Sequence, residues 1–256
     1  MLLSAVPALA SLKISVTVMD TKTGRPVVGL TAADFIVLEE KLPKRIEAVE
    51  YVSGVVDVML LLDTGLDGGV VRPLAEPLVA GLQPKEQMAI VSVHSSSDLI
   101  QDFTSSKQLL GRAIGSVQYG NTPRTLDALY AAIDTGFKNS TFRRVIVLLT
   151  AGREGDSRTT EQEVVRVARR NAVSIYPVYV LGRERSMFEK LARQTGGATF
   201  NLRGTKNEKA ESIAARIYET VRGRYDLTVS GNLAIGEKIK VEINREGKFF
   251  VSALPE

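Results

Sequence analysis

Val55-Val-Asp-Val-Met-Leu-Leu-Leu62, running into Asp63-Thr-Gly-Leu-Asp67, is the stretch that decides the fold. A near-continuous apolar run rich in Val and Leu suits a strand covered on both faces, as in a parallel sheet. It stops at a carboxylate followed by a glycine-bearing loop. Outward from it the pattern alternates. Val71, Leu74, Leu78 and Leu82 recur at helical spacing, and 88–93 is a second buried strand with an edge strand near 99–103. Leu109, Ile114 and Val117 predict one helix, and Leu126, Leu129, Tyr130, Ile133 and Phe137 a second. Strand 145–149, helix 161–170, strand 174–181, helix 187–194 and a short strand 198–201 follow. A closing helix carries Ile213, Ala214, Ile217, Tyr218 and Val221. Strands alternating with helices imply a mostly parallel, doubly wound α/β sheet with right-handed crossovers, here over 54–224.

On either side the grammar is period two. Leu12, Ile14, Val16 and Val18 alternate with polar residues, which predicts a half-buried strand before the turn Asp20-Thr-Lys-Thr-Gly24. Thr31 and Asp34 have capping-box spacing, and 35–38 and 46–52 are two further strands. Beyond Arg224, segments 225–230, 238–243 and 249–253 alternate again, with Arg245-Glu246-Gly247 as a hairpin turn. Chain ends of a domain commonly lie close together, so 11–53 and 225–256 are expected to form one discontinuous, β-sandwich-like domain into which the α/β domain is inserted. Residues 1–10 are apolar and end in Ala8-Leu9-Ala10, the small-x-small pattern of a signal-peptidase site, though the positively charged opening is missing. They read as the remnant of an export signal, and the expected location is secreted, periplasmic or cell-surface, with the cytoplasm as the alternative.

Composition narrows the chemistry. The chain has 256 residues, 44% hydrophobic and 24% charged, so it can bury a sizeable core. With no cysteine there is no disulfide scaffold, no thiolate nucleophile and no sulfur-based zinc site; with His94 as the single histidine, the usual His-rich metal and triad chemistries have almost no material. No apolar run reaches the roughly 18–20 residues that span a bilayer. Residues 1–128 carry 11 Lys+Arg against 14 Asp+Glu, and 129–256 carry 22 against 15, giving −3 and +7. The basic residues are interleaved with acids and lack interspersed aromatics, so no nucleic-acid partner is expected.

Ligands in open α/β sheets bind beyond the carboxyl ends of the strands. Three loops qualify: Asp63-Thr-Gly-Leu-Asp67, Gly120-Asn-Thr122 and Thr150-Ala-Gly-Arg-Glu154. A buried strand ending in Asp-Thr, a Gly-x-Thr ahead of Leu126-Asp-Ala-Leu-Tyr130, and a Leu-Leu-Thr strand end together resemble a von Willebrand factor type A (VWFA) domain. The lead-in VTVMDTKTGRPVVGLTAADFIVLEE is similar to that of bacterial exported VWFA-related proteins. The resemblance implies a metal-ion-dependent adhesion site, built on Asp-x-Ser-x-Ser in the first loop, Thr in the second and Asp in the third. Here Asp63 and Thr122 stand, Gly65 and Asp67 replace the serines, and Ala151 replaces the third-loop Asp. Two readings follow. Asp63, Asp67 and Thr122 hold Mg²⁺, Mn²⁺ or Ca²⁺ with waters completing the shell. Alternatively the site is vestigial: Asp67 caps a helix, Arg153 or Arg124 neutralises Asp63, and the oxygen count weighs toward this second reading.

The functional expectation is a non-enzymatic binding module that recognises a protein or other macromolecule through Asp63, Asp67, Asn121, Thr122 and Arg153. The alternatives are an assembly domain with a dead metal site and, behind it, a metal-dependent hydrolase. His94 lacks a His or Cys partner, Lys22-Thr-Gly24 without Ser-x-x-Lys is a turn, and Gly231-x4-Gly236 is no phosphate loop because Glu237-Lys238 follows it. Ser95-Ser96-Ser97 has no base beside it, and Arg166, Arg169 and Arg170 read as a solvated helix face.

Overall fold

Residues 11–120, 122–138, 140–205, 207–231 and 239–255 are described by a computed structural model. The strands are β1 (Ser11–Asp20), β2 (Phe35–Glu39), β3 (Leu42–Lys44), β4 (Ile46–Ser53), β5 (Val56–Asp63), β6 (Gln87–Val93), β7 (Ser97–Thr104), β8 (Arg143–Thr150), β9 (Val173–Tyr179), β10 (Phe200–Asn201), β11 (Gly223–Ser230), β12 (Ile239–Ile243) and β13 (Phe249–Pro255). The helices are α1 (Ala75–Ala80), α2 (Lys107–Ser116), α3 (Thr125–Thr135), α4 (Glu161–Arg170), α5 (Arg185–Gln194) and α6 (Ala210–Arg222).

All eight residues of β5 are buried, and it lies mid-sheet in the order β10-β9-β8-β5-β6-β7. Every ladder is parallel except that of the edge strand β7, so the doubly wound sheet read from the sequence is present. One face packs on α1, α2 and α6 through residues such as Leu60, Leu78, Leu110 and Ile217. The other packs on α3, α4 and α5 through Leu61, Leu129, Val164 and Phe188. The chain passes from β5 to β6 on one side and later returns to β8 on the other. The carboxyl ends of β5 and β8 therefore form a topological switch point, where such sheets open a crevice.

Two antiparallel sheets flank this layer, in the orders β13-β1-β11-β4 and β12-β2-β3, each mixing strands from both ends of the chain. β1 is buried on both faces. Ile14, Val16 and Val18 join Phe35, Tyr225 and Leu227 in a separate core, while Met19 reaches the α/β core. The Thr17 hydroxyl donates to the Gly196 carbonyl (2.8 Å), tying the β layer to the turn after α5.

Three local expectations change. The helical spacing of 71–82 yields two 3₁₀ turns, Gly68–Val70 and Arg72–Leu74, before the short α1. Pro77 has no N–H for the residue-73 carbonyl, so an α-helix starting earlier would lack that bond. β3 carries no period-two signal; it pairs with β2 because Glu40 and Lys41 take left-handed φ values of 48° and 73°, the backbone of a tight hairpin. The segments around Arg245-Glu246-Gly247 do not pair with each other: β12 joins β2 and β13 joins β1. No described helix is long and apolar enough to cross a membrane.

Candidate functional site

Asp63, Gly65, Leu66, Asp67, Thr122, Pro123, Ala151 and Arg153 line one cleft of about 190 Å³ at the carboxyl ends of β5 and β8. The sequence therefore brings together Asp63, Asp67, Thr122 and Arg153 as expected. Asn121 lies outside the described residues, as do residues 1–10, Gly236, Glu237 and Lys238.

The cleft is built by backbone. β5 and β8 run side by side to the pair Leu62–Leu149, which places Asp63 beside Thr150. The Gly120 N–H donates to the Thr64 carbonyl (2.8 Å), the Gly155 N–H to Pro123 (2.8 Å), and the Leu181 N–H to Ala151 (2.8 Å). Each strand-end loop is thus fastened to a neighbour. Two glycines make this possible. A Cβ on Gly68 would lie 2.0 Å from the Asp63 carbonyl oxygen, and one on Gly152, at φ +98°, 1.9 Å from that of Leu181.

At the floor, Asp63 is 2% exposed. Its Oδ1 accepts from the Gly65 N–H (2.8 Å), and its Oδ2 from the Thr150 hydroxyl and the Ala151 N–H (2.9 Å each). Three neutral donors hold the buried carboxylate. At the rim, Arg153 Nε pairs with Asp67 Oδ2 at 2.8 Å, both side chains about 45% exposed. Two expectations are corrected here. Arg153 neutralises Asp67 rather than Asp63, and Asp67, although it precedes the Gly68–Val70 turn, makes no side-chain capping bond.

These residues do not fit a divalent cation. Hard cations want about six or more oxygens. Gly65 and Ala151 offer no side-chain oxygen, their N–H groups occupy Asp63 instead, and Asp67 is already neutralised. Among the described residues no group of three His, Cys, Asp or Glu side chains converges on a point that could hold a metal.

Two contributors escaped the sequence reading. Leu66, 83% exposed, is an apolar side chain standing on the rim. Its only signal was an apolar residue amid Gly and Asp in a strand-end loop. Glu154 lies behind the cleft, where Oε2 accepts from the Thr125 N–H (3.1 Å) at the start of α3 and Oε1 accepts from the Ser157 hydroxyl. Burial pushes its carboxyl above the ordinary range, against the pull of these donors. His94 pairs with Asp98 (3.1 Å) and its carbonyl accepts from Arg124 N–H, a loop role.

A family model described as von Willebrand factor type A domain matches residues 69–216, starting just past the loop that bears Asp63 and Asp67. Among solved structures, proximal thread matrix protein 1 from the mussel byssus, in a form with a zinc-occupied MIDAS motif, is 16% identical with a TM-score of 0.58. That alignment covers 72% of this chain and 50% of the mussel protein, so the chain spans about half the length of that relative. An aerotolerance-related membrane protein from Bacteroides fragilis is 15% identical, TM-score 0.50, over 66% of this chain and 98% of that one. At these identities the likeness concerns the fold. No curated protein matches the sequence.

Proposed function

Because the chain belongs to the von Willebrand factor type A family, whose domains are commonly protein–protein interaction modules, we propose that it is a non-enzymatic docking module whose contact face is the strand-end cleft. The observation that carries this reading is Leu66. A leucine 83% exposed at the lip of a cleft, flanked by the Asp67–Arg153 pair and the Thr122 side chain, has the make-up of an interface centre with a polar rim. Apolar anchors seated in a partner's pocket supply most binding energy, and the charged rim sets orientation. The partner is a protein offering an apolar pocket for Leu66. Asn121, next to Thr122 in sequence, belongs to the same face.

No resident cofactor is part of this reading, since the donor set does not suit Mg²⁺, Mn²⁺ or Ca²⁺. A hydrolase would need a base within reach of the cleft. The acidic groups lining it are Asp63, held by three donors, and Asp67, held by Arg153. We further infer that 11–53 and 225–256 act as one discontinuous β support carrying the 54–224 domain, and that the Ala8-Leu9-Ala10 pattern marks an exported protein.

The experiment is affinity capture from the source cells with wild type, Leu66→Glu, Asp67→Ala and Tyr130→Glu. Tyr130 is exposed on α3, away from the cleft lining, and serves as the control. Docking through the cleft predicts loss of a specific partner in the first two variants and retention in the third. Equal capture by all four, each with an unchanged melting temperature, contradicts it and favours assembly through other surfaces.

A further inference from the structure

We propose that the groove between the open edge of β12 and the carboxyl ends of α4 and α5 is a second docking site, which takes an extended acidic segment of a partner protein as an added β-strand. The groove and the strand-end cleft share no lining residue, so the proposal stands apart from the docking reading above.

The groove, of about 730 Å³, meets all five residues of β12 in turn. Successive side chains of a strand point to opposite faces, so a groove that touches every one of them runs along the strand's edge. That edge has no ladder: β12 pairs with β2 alone, and β13 with β1 alone. The register tells which main-chain groups face it. The Asn244 N–H donates to the Asp34 carbonyl (2.8 Å), continuing the β12–β2 ladder by one residue. Alternating back from there, the main-chain groups of Glu242 and Lys240 face β2, and those of Ile243, Val241 and Ile239 face the groove. Such a row of N–H and C=O groups is a template for another strand.

Side chains state what that strand must carry. Ile239, Ile243, Phe249 and Val251 are half-buried, packing on the core between the two antiparallel sheets and giving the groove an apolar floor. Around it stand Arg169, Arg193, Lys240 and Arg245, against one lining carboxylate, Glu242, which pairs with Lys240. Arg169 and Arg193 are exposed and form no ion pair among the described residues. Each spends an N–H on a main-chain carbonyl, Arg169 on Gln194 (2.8 Å) and Arg193 on Val251 (3.1 Å), which leaves the rest of each guanidinium fork for a carboxylate. An occupant that alternates apolar residues with Asp or Glu satisfies both: one set of side chains settles on the floor and the other meets the arginines.

The test titrates the whole chain with a blocked, fluorescein-labelled peptide of alternating Glu and Val, read by anisotropy. Two control peptides accompany it, one with Lys in place of Glu, the other with proline in place of its central valines, which keeps the charge and removes strand N–H groups. The Glu–Val peptide should bind and neither control should. Arg169→Glu and Arg193→Gln should each weaken binding about tenfold, whereas Leu66→Glu should leave it unchanged. Both arginines are exposed, so these variants keep the fold. Amide hydrogen exchange on the wild type needs no variant: with the peptide bound, the N–H groups of Ile239, Val241 and Ile243 should gain protection, and those of Lys240 and Glu242 should not change. No binding of the Glu–Val peptide overturns the proposal, as does equal binding of the proline peptide or unaltered exchange along β12. Loss of peptide binding in Leu66→Glu overturns it too, by moving the contact to the cleft, while a failed partner capture at the cleft leaves it standing.

Discussion

Asp63 concentrates the chemistry of the face in one side chain. Buried and accepting three hydrogen bonds, it is the acceptor on which Thr150, Ala151 and Gly65 depend. Asp63→Ala strands those donors in a dry floor, and each unsatisfied group costs about 1–3 kcal/mol. We expect a loss of about 3 kcal/mol or more in urea unfolding. Asp63→Asn is nearly isosteric yet turns an acceptor into an NH₂ group facing other donors, so it should still lose about 2 kcal/mol. If Asn matched wild type, the donor network would be incidental. The sequence disclosed Asp63, Thr122 and Arg153 because a buried strand must end in a loop and the three loops share one sheet edge. It did not disclose that Asp67 pairs with Arg153. Pairing across loops depends on backbone paths rather than residue spacing, and the N-cap preference of Asp pointed elsewhere.

The element that deserves most of the positioning credit is the 150–159 loop, which wraps the start of α3. Asp127 on that helix accepts from the Arg158 N–H (3.0 Å) and the Thr159 N–H (2.8 Å). Burial raises its carboxyl, but the Thr159 and Arg158 donors outweigh burial and hold it below its ordinary value of 3.8. A depressed folded pKa adds stability above pH 3.8 that fades as the pH falls through the folded value. Asp127→Asn should therefore be less stable than wild type at neutral pH, by under about 1 kcal/mol given its exposure. The two should converge below pH 3.8 in denaturant melts; a gap that persists in acid would assign the effect to packing. Gly152 tests the same loop from its other end. With φ +98° and the Leu181 carbonyl 1.9 Å from any Cβ, Gly152→Ala should lose about 2 kcal/mol or more and perturb binding at the cleft, whereas a silent substitution would show that the loop is pliant. Elements with strong periodicity, such as β5 and α3, were legible. β3 and the 3₁₀ turns before α1 were not, because a left-handed Glu40-Lys41 pair and the missing Pro77 N–H act through backbone geometry that hydrophobic pattern does not encode.

Across the whole molecule, the α/β layer is tied to the β13-β1-β11-β4 sheet by contacts such as the Thr17 hydroxyl donating to the Gly196 carbonyl (2.8 Å) and Arg193 donating to the Val251 carbonyl (3.1 Å), and it is braced within itself just before β11 begins. Glu86, fully buried, forms a two-pronged pair with Arg222 (2.8 and 2.6 Å), and Arg222 also donates to the Gly81 carbonyl (2.8 Å) at the junction where α6 leads into β11. Breaking a buried pair leaves a charge without compensation, so Arg222→Ala should lose about 3–5 kcal/mol in urea unfolding. A loss under about 1 kcal/mol would mean that the junction is solvated. The doubly wound core and the paired terminal strands could be read because each strand announces burial on one or two faces. The split of β12 and β13 between separate sheets could not, since the turn at 245–247 fits a closed hairpin equally well. The proposed role of the cleft is to dock a partner protein through Leu66 without a metal ion. Site-specific photo-crosslinking from position 66 in the source cells, run with and without EDTA, tests that most directly. One discrete protein adduct of equal yield in both conditions is the predicted result, and an adduct that vanishes on chelation, or none at position 66 while position 130 yields one, contradicts it.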